Sequence, residues 1–466
     1  MSEQKIQDID RSLYDFKDDE SSGFYRMEEG LTKEIVGQIS EEKHDPSWMR
    51  EFRLQCLDLY NKMPIPNWGP SIEGLDMNRI SSYVRHESDM KGSWDEVPAE
   101  IKTTFDKLGI PQAERESLAG VGAQYDSELV YHNLQKNVAS KGVVYLGFEE
   151  ALNGEYADMV KEYFMHLVPP SDHKFAALHG AVWSGGSFVY VPKGVKVDVP
   201  LQSYFRLNAR GAGQFEHTLI IVDEEADLHF IEGCSAPKYN VANLHAGCVE
   251  LYVKKNARLR YSTIENWSKN MYNLNTKRAV VEEGGRMEWV SGSFGSHVSY
   301  LYPTTILKGD NSHCEFTGIT FAGAGQNLDT GAKMIHVGKN TSSYINSKSI
   351  SKSGGISTYR SSVVINKAAK NAKSSVNCAS LMLDDESRSD TIPAMDVRTK
   401  DADVGHEAKI GRISDEAVFY LMSRGISEQE ARAMIVSGFA DSVSKELPLE
   451  YAAEMNNLIH IEMEGM

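Results

Sequence analysis

Five cysteines carry most of the chemistry available to this sequence: Cys56, Cys234, Cys248, Cys314 and Cys378. Their number is odd and none stands in a Cys-x-x-Cys spacing, so neither a disulfide framework nor a zinc finger is encoded. Any cysteine chemistry must come from single thiols that the fold brings beside other groups. Cys56 falls on the apolar face of a helical pattern with Phe52 and Leu59, at i, i+4 and i+7, and reads as a packing residue. Cys248 and Cys314 lie inside strand-like runs and read as core. Cys234 follows Glu232 in Gly233-Cys234-Ser235, which reads as a partly exposed turn. Cys378 becomes interesting only when the elements that position it are laid out.

Those elements are short strand-like runs between 183 and 410, separated by small polar turns. The turns recur at Glu224-Glu225-Ala226, Lys255-Asn256-Ala257, Glu283-Gly284-Gly285, Gly309-Asp310-Asn311, Gly338-Lys339-Asn340 and Lys370-Asn371-Ala372, then at Asp385-Glu386-Ser387 and Asp401-Ala402. The period is roughly 26 to 32 residues, then about half that, which is the signature of a repeat architecture. Reading alternate residues from the small residue of each turn gives columns of side chains on one face. The second column runs Phe230, Tyr261, Trp289, Phe316, Tyr344, Val376, an aromatic and β-branched stack expected of a parallel β-helix. The rungs opening at Ala372 and Ala402 are one period apart. Cys378 therefore falls in the third column and His406 in the second of the next rung, diagonal neighbours about 7–8 Å apart at Cα. Glu407 points to the opposite face. A thiol beside an imidazole in a polar part of the stack is a candidate metal or sulfur site.

The flanks are helical in pattern. Residues 1–182 read as an N-terminal helical domain with a connector, the stretch 95–135 included as short helices, and Val143-Val144-Tyr145 as a strand. Residues 183–410 form the β-helix core. Residues 411–466 form a helical cap, with Ser427 as N-cap of a capping box and Pro448 in the first turn of a last helix. The fold class is thus mainly β, a parallel β-helix flanked by helical domains.

The formal charge of −17 argues against nucleic acid or an anionic membrane as partner. The acidic N-terminus is unlike a signal peptide and no apolar run is long enough to span a bilayer, so a reducing, cytoplasmic setting is expected. The sequence holds no GxxxxGK[ST] motif, so any ATP dependence must reside in another subunit. A parallel β-helix acting on carbohydrate is a competing class; it calls for a secretion signal and a groove of paired acids, and no Asp pair falls in register.

Several segments closely resemble the SufB/SufD family of the SUF iron–sulfur cluster assembly system. They are YFRLN (204–208), HFIEGCSAP (229–237), NLHAGCVEL (243–251), ENWSKNMYNLNTKR (265–278), VNCASLMLDDES (376–387), VGHEAKIGRISDEAVFYLMSRGIS (404–427) and EARAMIVSGFA (430–440). The resemblance implies a right-handed β-helix whose C-terminal helices bind a SufC-type ABC ATPase and whose core pairs with SufD or a second SufB. It implies a cysteine desulfurase and a sulfur carrier as donors, and iron–sulfur acceptor proteins as recipients. It implies a non-enzymatic scaffold that holds a transient [4Fe-4S] or [2Fe-2S] cluster and admits a reduced flavin as electron source. By the same resemblance Cys234 accepts sulfur, Arg206, Asn208, Glu265, Trp267 and Lys277 line a sulfur path, and Cys378, His406 and Glu407 hold iron or the nascent cluster. An arginine in the path is expected to attract persulfide and lower a thiol's pKa. Glu265 departs from the Gln of many relatives, Ser387 from a cysteine found in some, and Cys56 alone cannot form the N-terminal cysteine cluster others carry. A SufD-like structural partner is the alternative, and Cys378 argues against it.

Overall fold

The computed structural model describes residues 24–86, 94–97, 102, 118–447 and 449–463. Its centre is a parallel β-solenoid of about 8 turns. One wall is a ten-stranded sheet. In chain order its strands are β1 (Gly120–Tyr125), β2 (Glu128–Leu134), β3 (Leu201–Arg206), β4 (Asp227–Ser235), β5 (Arg258–Asn266), β6 (Arg286–Phe294), β7 (His313–Ala322), β8 (Ser342–Ser351), β9 (Ala372–Met382) and β10 (Ala402–Arg412). From β3 to β10 each strand pairs in parallel with the next, one period on. The chain then crosses through a short strand and a second full strand, such as Asn243–His245 and Cys248–Val253, before returning. These build the remaining walls.

The recurrent turns explain the register. Their pivot residues Glu225, Asn256, Gly284, Asn311, Asn340 and Asn371 all adopt positive φ. Asn and Gly tolerate that conformation best, and they hold five of the six pivots. Asn340 and Asn371 also form a ladder, Nδ2 to Oδ1, with the pivot one rung below, at 3.2 and 3.1 Å. The small residue after each pivot begins the inward columns. Leu228 faces Leu259, which faces Met287 on the next rung; Phe230 faces Tyr261, which faces Trp289. In the second column Phe230 stacks on Tyr261 at 5.6 Å and Tyr261 meets Trp289 edge-on at 5.5 Å, each pair worth about 0.5–1.5 kcal/mol beyond area burial. One correction to the expected columns is needed. At the rung after Asn340 the small residue is Thr341, so Ile345, not Tyr344, continues the aromatic column. Tyr344 is exposed.

The outer faces are covered from both ends of the chain. Helices α1 (Lys33–Glu42), α2 (Ser47–Lys62) and α3 (Lys174–Val182) lie on the second wall. Thr32 caps α1 through its side chain, and Cys56 is buried against α3, where any Cβ on Gly180 would meet its Sγ at 2.6 Å. Helices α4 (Asp415–Met422), α5 (Glu428–Ser444) and α6 (Leu449–Met463) close the ten-stranded sheet, packing Ala440, Met455 and Leu458 on Ile231, Ile264 and Val290. The Ser427–Glu430 capping box forms in full. Within the expected helical stretch 95–135, residues 120–134 instead form the antiparallel hairpin β1–β2, which extends the ten-stranded sheet past β3. The rest of that stretch, apart from 95–97, 102, the bend at 118–119 and Gln135, and Pro448, lie outside the described residues. Val144–Gly147 is a strand as the pattern predicts. No helix among the described residues is long and apolar enough to cross a membrane.

Candidate functional site

The register puts Cys234 in an inward column of β4, facing Phe205 on one neighbour and Glu265 on the other. It is 1% exposed, so the expected half-open turn is instead the interior of a strand. Gly233 is needed there for a different reason: a Cβ on it would strike the Tyr204 ring at 2.6 Å. The Cys234 Sγ lies 3.9 Å from Glu232 Oε1 and packs in one apolar cluster with Phe205 and Trp267.

A chain of buried polar groups runs from this thiol. Lys277 reaches across the lumen from the opposite wall. Its Nζ lies 2.8 Å from Glu232 Oε1, 3.1 Å from Thr263 Oγ1 and 3.5 Å from Glu265 Oε1. Burial opposes its charge, but the Glu232 and Glu265 carboxylates outweigh that and raise its pKa. Tyr261 donates its hydroxyl to Glu232. Asn273 Nδ2 donates to Glu265 Oε2 at 2.7 Å, the Asn273 Oδ1 is 2.7 Å from His245 Nδ1, and His245 Nε2 is 2.5 Å from Glu216 Oε1. The Trp267 ring rests on His245 with centroids 4.6 Å apart. Burial works against protonation of His245, but Glu216 and Glu265 raise its pKa. For Cys234, burial and then the carboxylates of Glu232, Glu265 and Glu216 push the thiol pKa well up, with Lys277 opposing. The expectation of a positive site that lowers this pKa is therefore overturned: the thiol is buried among acids.

Arg206 and Asn208 sit at the end of β3. Arg206 is buried, its Nη1 3.3 Å from Ser235 Oγ, with Asp126 nearby. Asn208 engages through its backbone, its N–H donating to Asp126 Oδ1 at 2.6 Å and its carbonyl accepting from Tyr239. The fold thus brings Cys234, Glu265, Trp267 and Lys277 together. It places Arg206 one residue over, against Ser235, and turns Asn208 into a brace for the hairpin.

At the far end of the sheet, Cys378 on β9 lies diagonal to His406 on β10, as the column arithmetic predicts. Its Sγ is 3.6 Å from His406 Nε2. A tetrahedral ion with a sulfur ligand near 2.3 Å and a nitrogen near 2.0–2.1 Å sets those atoms about 3.6 Å apart. The thiol is raised by burial and eased down by the Thr391 hydroxyl. His406 is half-buried. Glu407 faces the other way, exposed and paired with Lys409 at 2.9 Å. Cys378 and His406 therefore offer two donor atoms at the spacing of one ion, and any further ligands would have to come from outside these two side chains. β10 ends the strand order of its sheet, so the site stands at an edge.

Between the two thiols the inward positions are small and mostly hydroxylic. The column of Cys378 runs back through Ser347, Gly318, Ser291 and Thr263 to Glu232. Its neighbour runs from Ser380 through Ser349, Thr320, Ser293 and Glu265 to Cys234. Five strand steps separate the cysteines, about 24 Å. Glu232, His245, Glu216 and Asn273 were not singled out from the sequence. Glu232 does carry a signal, an acid at an inward alternate position; the other three lie on or beside two- and three-residue strands whose facing no periodicity reveals.

Residues 205–439 match the family described as "SUF system FeS cluster assembly, SufBD core domain", and residues 38–203 match "SufBD protein N-terminal region". The chain is 52% identical over 461 residues to the iron–sulfur cluster assembly protein SufB of Bacillus subtilis strain 168, covering 99% of each chain. It is equally similar, 52% over 461 residues and 99% of each, to iron–sulfur cluster assembly SufBD family proteins of Staphylococcus aureus strains MRSA252 and USA300.

Proposed function

The chain belongs to the SufB/SufD family of iron–sulfur cluster assembly proteins, and from that premise we propose that it is the scaffold on which sulfur and iron are joined. The observation that carries the reading is the Cys378–His406 pair, set one ion's width apart at the end of the solenoid. Cys234 is the sulfur acceptor. Its sulfur displaces the donor thiol from a persulfide, R–S–SH + Cys–SH → Cys–S–SH + R–SH, so no net electrons are exchanged. A cysteine desulfurase, through a carrier, supplies that persulfide. Lys277 stabilises the anionic sulfur as it forms, and Glu232 and Glu265 take up or return its proton. Two electrons from a reduced flavin then release this sulfur, Cys–S–SH + 2e⁻ + H⁺ → Cys–SH + HS⁻, and the hydrosulfide passes the small hydroxylic column to Cys378, where iron joins it. The product, a [4Fe-4S] or [2Fe-2S] cluster, is cargo, passed on to acceptor proteins.

Partner surfaces fit this reading. Ile392, Met395 and Val397 on the edge strand Arg388–Val397, and Ile410 on β10, are exposed beside the Cys378 site. They suit a SufD chain or a second copy that would supply missing ligands; Glu407 faces outward to meet such a partner. Phe419 and Tyr420 on α4, 72% and 57% exposed, and Met434 on α5 offer a docking face for a SufC-type ATPase. The test is anaerobic reconstitution with iron and a desulfurase, read by optical and Mössbauer spectra. Loading of a cluster that Cys378→Ala abolishes supports the reading; wild-type loading retained in Cys378→Ala refutes it. Cluster formation from persulfide that survives Cys234→Ala refutes the acceptor role.

A further inference from the structure

A second group of metal-ligating side chains lies on the outer face of the second wall, away from the lumen. His179 on α3, His217 on the strand His217–Val222 and Cys248 on the strand Cys248–Val253 each offer one ligand atom, all within 4.8 Å of one another. All three residues are 1% exposed or less. His217 and Cys248 are direct neighbours across the parallel ladder, and α3 lowers His179 onto them.

The groups behind the imidazoles are what single this cluster out. His179 Nδ1 lies 3.0 Å from the Ala246 carbonyl. That carbonyl can only accept, so it fixes the proton on Nδ1 and leaves the Nε2 lone pair facing His217. His179 Nε2 and His217 Nδ1 are 3.0 Å apart, close to the edge of about 3.3 Å between two nitrogens on one tetrahedral ion. On its far side, His217 Nε2 has no hydrogen-bond partner although it is buried. Glu250 Oε2 stands 3.2 Å away and receives no hydrogen bond from it. Once an ion takes Nδ1, the ring proton must move to Nε2, where that carboxylate is ready to accept it. A carbonyl behind one ligating histidine and a carboxylate behind the other is the usual support of a metal site.

We propose that His179 Nε2, His217 Nδ1 and Cys248 Sγ bind one divalent transition-metal ion of borderline softness, Zn²⁺ or Fe²⁺. Two imidazoles and one thiolate select that class, and the thiol proton is released on binding. The ion pins α3 to the solenoid, so its role is to fasten the N-terminal cover rather than to enter the cargo. Because the site is closed, it fills as α3 docks during folding.

The experiment uses the full-length Cys378→Ala chain, which lacks the thiol of the proposed cluster site, produced in cells grown with zinc or with cobalt. Expected are about one equivalent of metal after desalting, a thiolate-to-cobalt charge-transfer band, and an X-ray absorption edge fitted by two imidazole nitrogens and one sulfur. Cys248→Val, with folding checked by circular dichroism, is expected to lower retained metal at least tenfold. The absorption fit identifies the ligands without that variant, so a misfolded variant leaves the reading decidable. A metal-free Cys378→Ala chain, a fit without sulfur, or full retention by folded Cys248→Val overturns the proposal. Because Cys378 is already removed, failure here leaves the scaffold reading standing, and failure of cluster loading leaves this one standing.

Discussion

Removing the Lys277 ammonium tests whether the lumen is held together by charge. Lys277 is 8% exposed and faces two carboxylates whose side chains are 0% and 2% exposed. At 2.8 and 3.5 Å the gross attractions are about 6 and about 5 kcal/mol at an effective dielectric near 20. Desolvation of three charges opposes most of this, so the measurable quantity is the cost of breaking the set, about 3–5 kcal/mol for a buried pair losing one partner. Lys277→Met keeps the stem and removes the charge. With an unfolding entropy of about 2.1 cal/mol/K per residue, a chain of 466 residues loses roughly 1 °C in Tm per kcal/mol. The expected drop is therefore about 3–5 °C in differential scanning calorimetry at pH 7. Lys277→Met combined with Glu232→Gln and Glu265→Gln should recover much of it, since no buried charge is then left unpaired. The pH dependence has a definite sign. The folded pKa of Lys277 is raised, so its stabilisation is fully present below the unfolded value of about 10.4 and fades as pH rises through the folded value. Wild type and Lys277→Met should converge only in that alkaline window. A Lys277→Met chain within about 0.5 kcal/mol of wild type at pH 7, or a triple variant less stable than the single one, refutes the reasoning.

Further outcomes follow from other sites. Timed alkylation of native protein, read by mass spectrometry, should label Cys378 first: burial pushes Cys56 and Cys314 up to about 12 and Cys234 and Cys248 well up, whereas the Thr391 hydroxyl tempers Cys378. Labelling of Cys56 or Cys314 ahead of Cys378 contradicts this. Asp126 is raised to about 7 by burial, against the backbone N–H bonds from Ala209 and Asn208. The folded chain holds its proton longer, so this group's contribution is full below about pH 4 and is lost as pH rises through 7, about 4 kcal/mol in all. Asp126→Asn should flatten that part of the stability profile in denaturant titrations; an unchanged slope between pH 4 and 8 counts against it. Ser427→Ala removes the reciprocal cap of α5 and should cost about 1 kcal/mol, with faster amide exchange confined to the first turn of α5.

The solenoid was legible because its signals are local and repeated. Pivot, small residue and alternating strand recur at each rung, so Cys378 and His406 could be set diagonally from spacing alone. The single slip, at Asn340, shows the limit of the rule. The first small polar residue after Lys339 is the positive-φ pivot itself, and Thr341, bulkier than the Ala or Gly of other rungs, is the true start of the column. The hairpin at 120–134 was hidden for a different reason. Gly120-Val121-Gly122-Ala123 has little strand propensity of its own, and becomes β1 because β2 and β3 pair with it on both sides. Exposure of Cys234 was misjudged because Gly-Cys-Ser reads as a turn, while the glycine answers to the Tyr204 ring. The His179–His217–Cys248 group could not be read at all, since a helix and two rungs build it jointly.

The in-register parallel ladder also decides what kind of transport the lumen can support. Each rung adds about 4.8 Å, so the separation of Cys234 and Cys378 is a count of rungs and not a property of either site. A separation near 24 Å is more than ten times a sulfur–sulfur bond of about 2.05 Å, so no side-chain motion lets one thiol attack the other. On the proposed reading, sulfur must therefore leave the first site as hydrosulfide and cross intervening positions. Those positions offer Thr263, Ser291, Gly318 and Ser347: small groups that leave room and weak donors that solvate an anion without holding it. Cys314, the one thiol on an inward position between the two, stands two columns aside from Cys378, against Thr305. The polar lining is therefore what the proposed passage requires: positions small enough and polar enough for a small anion to cross a distance that no side-chain motion spans.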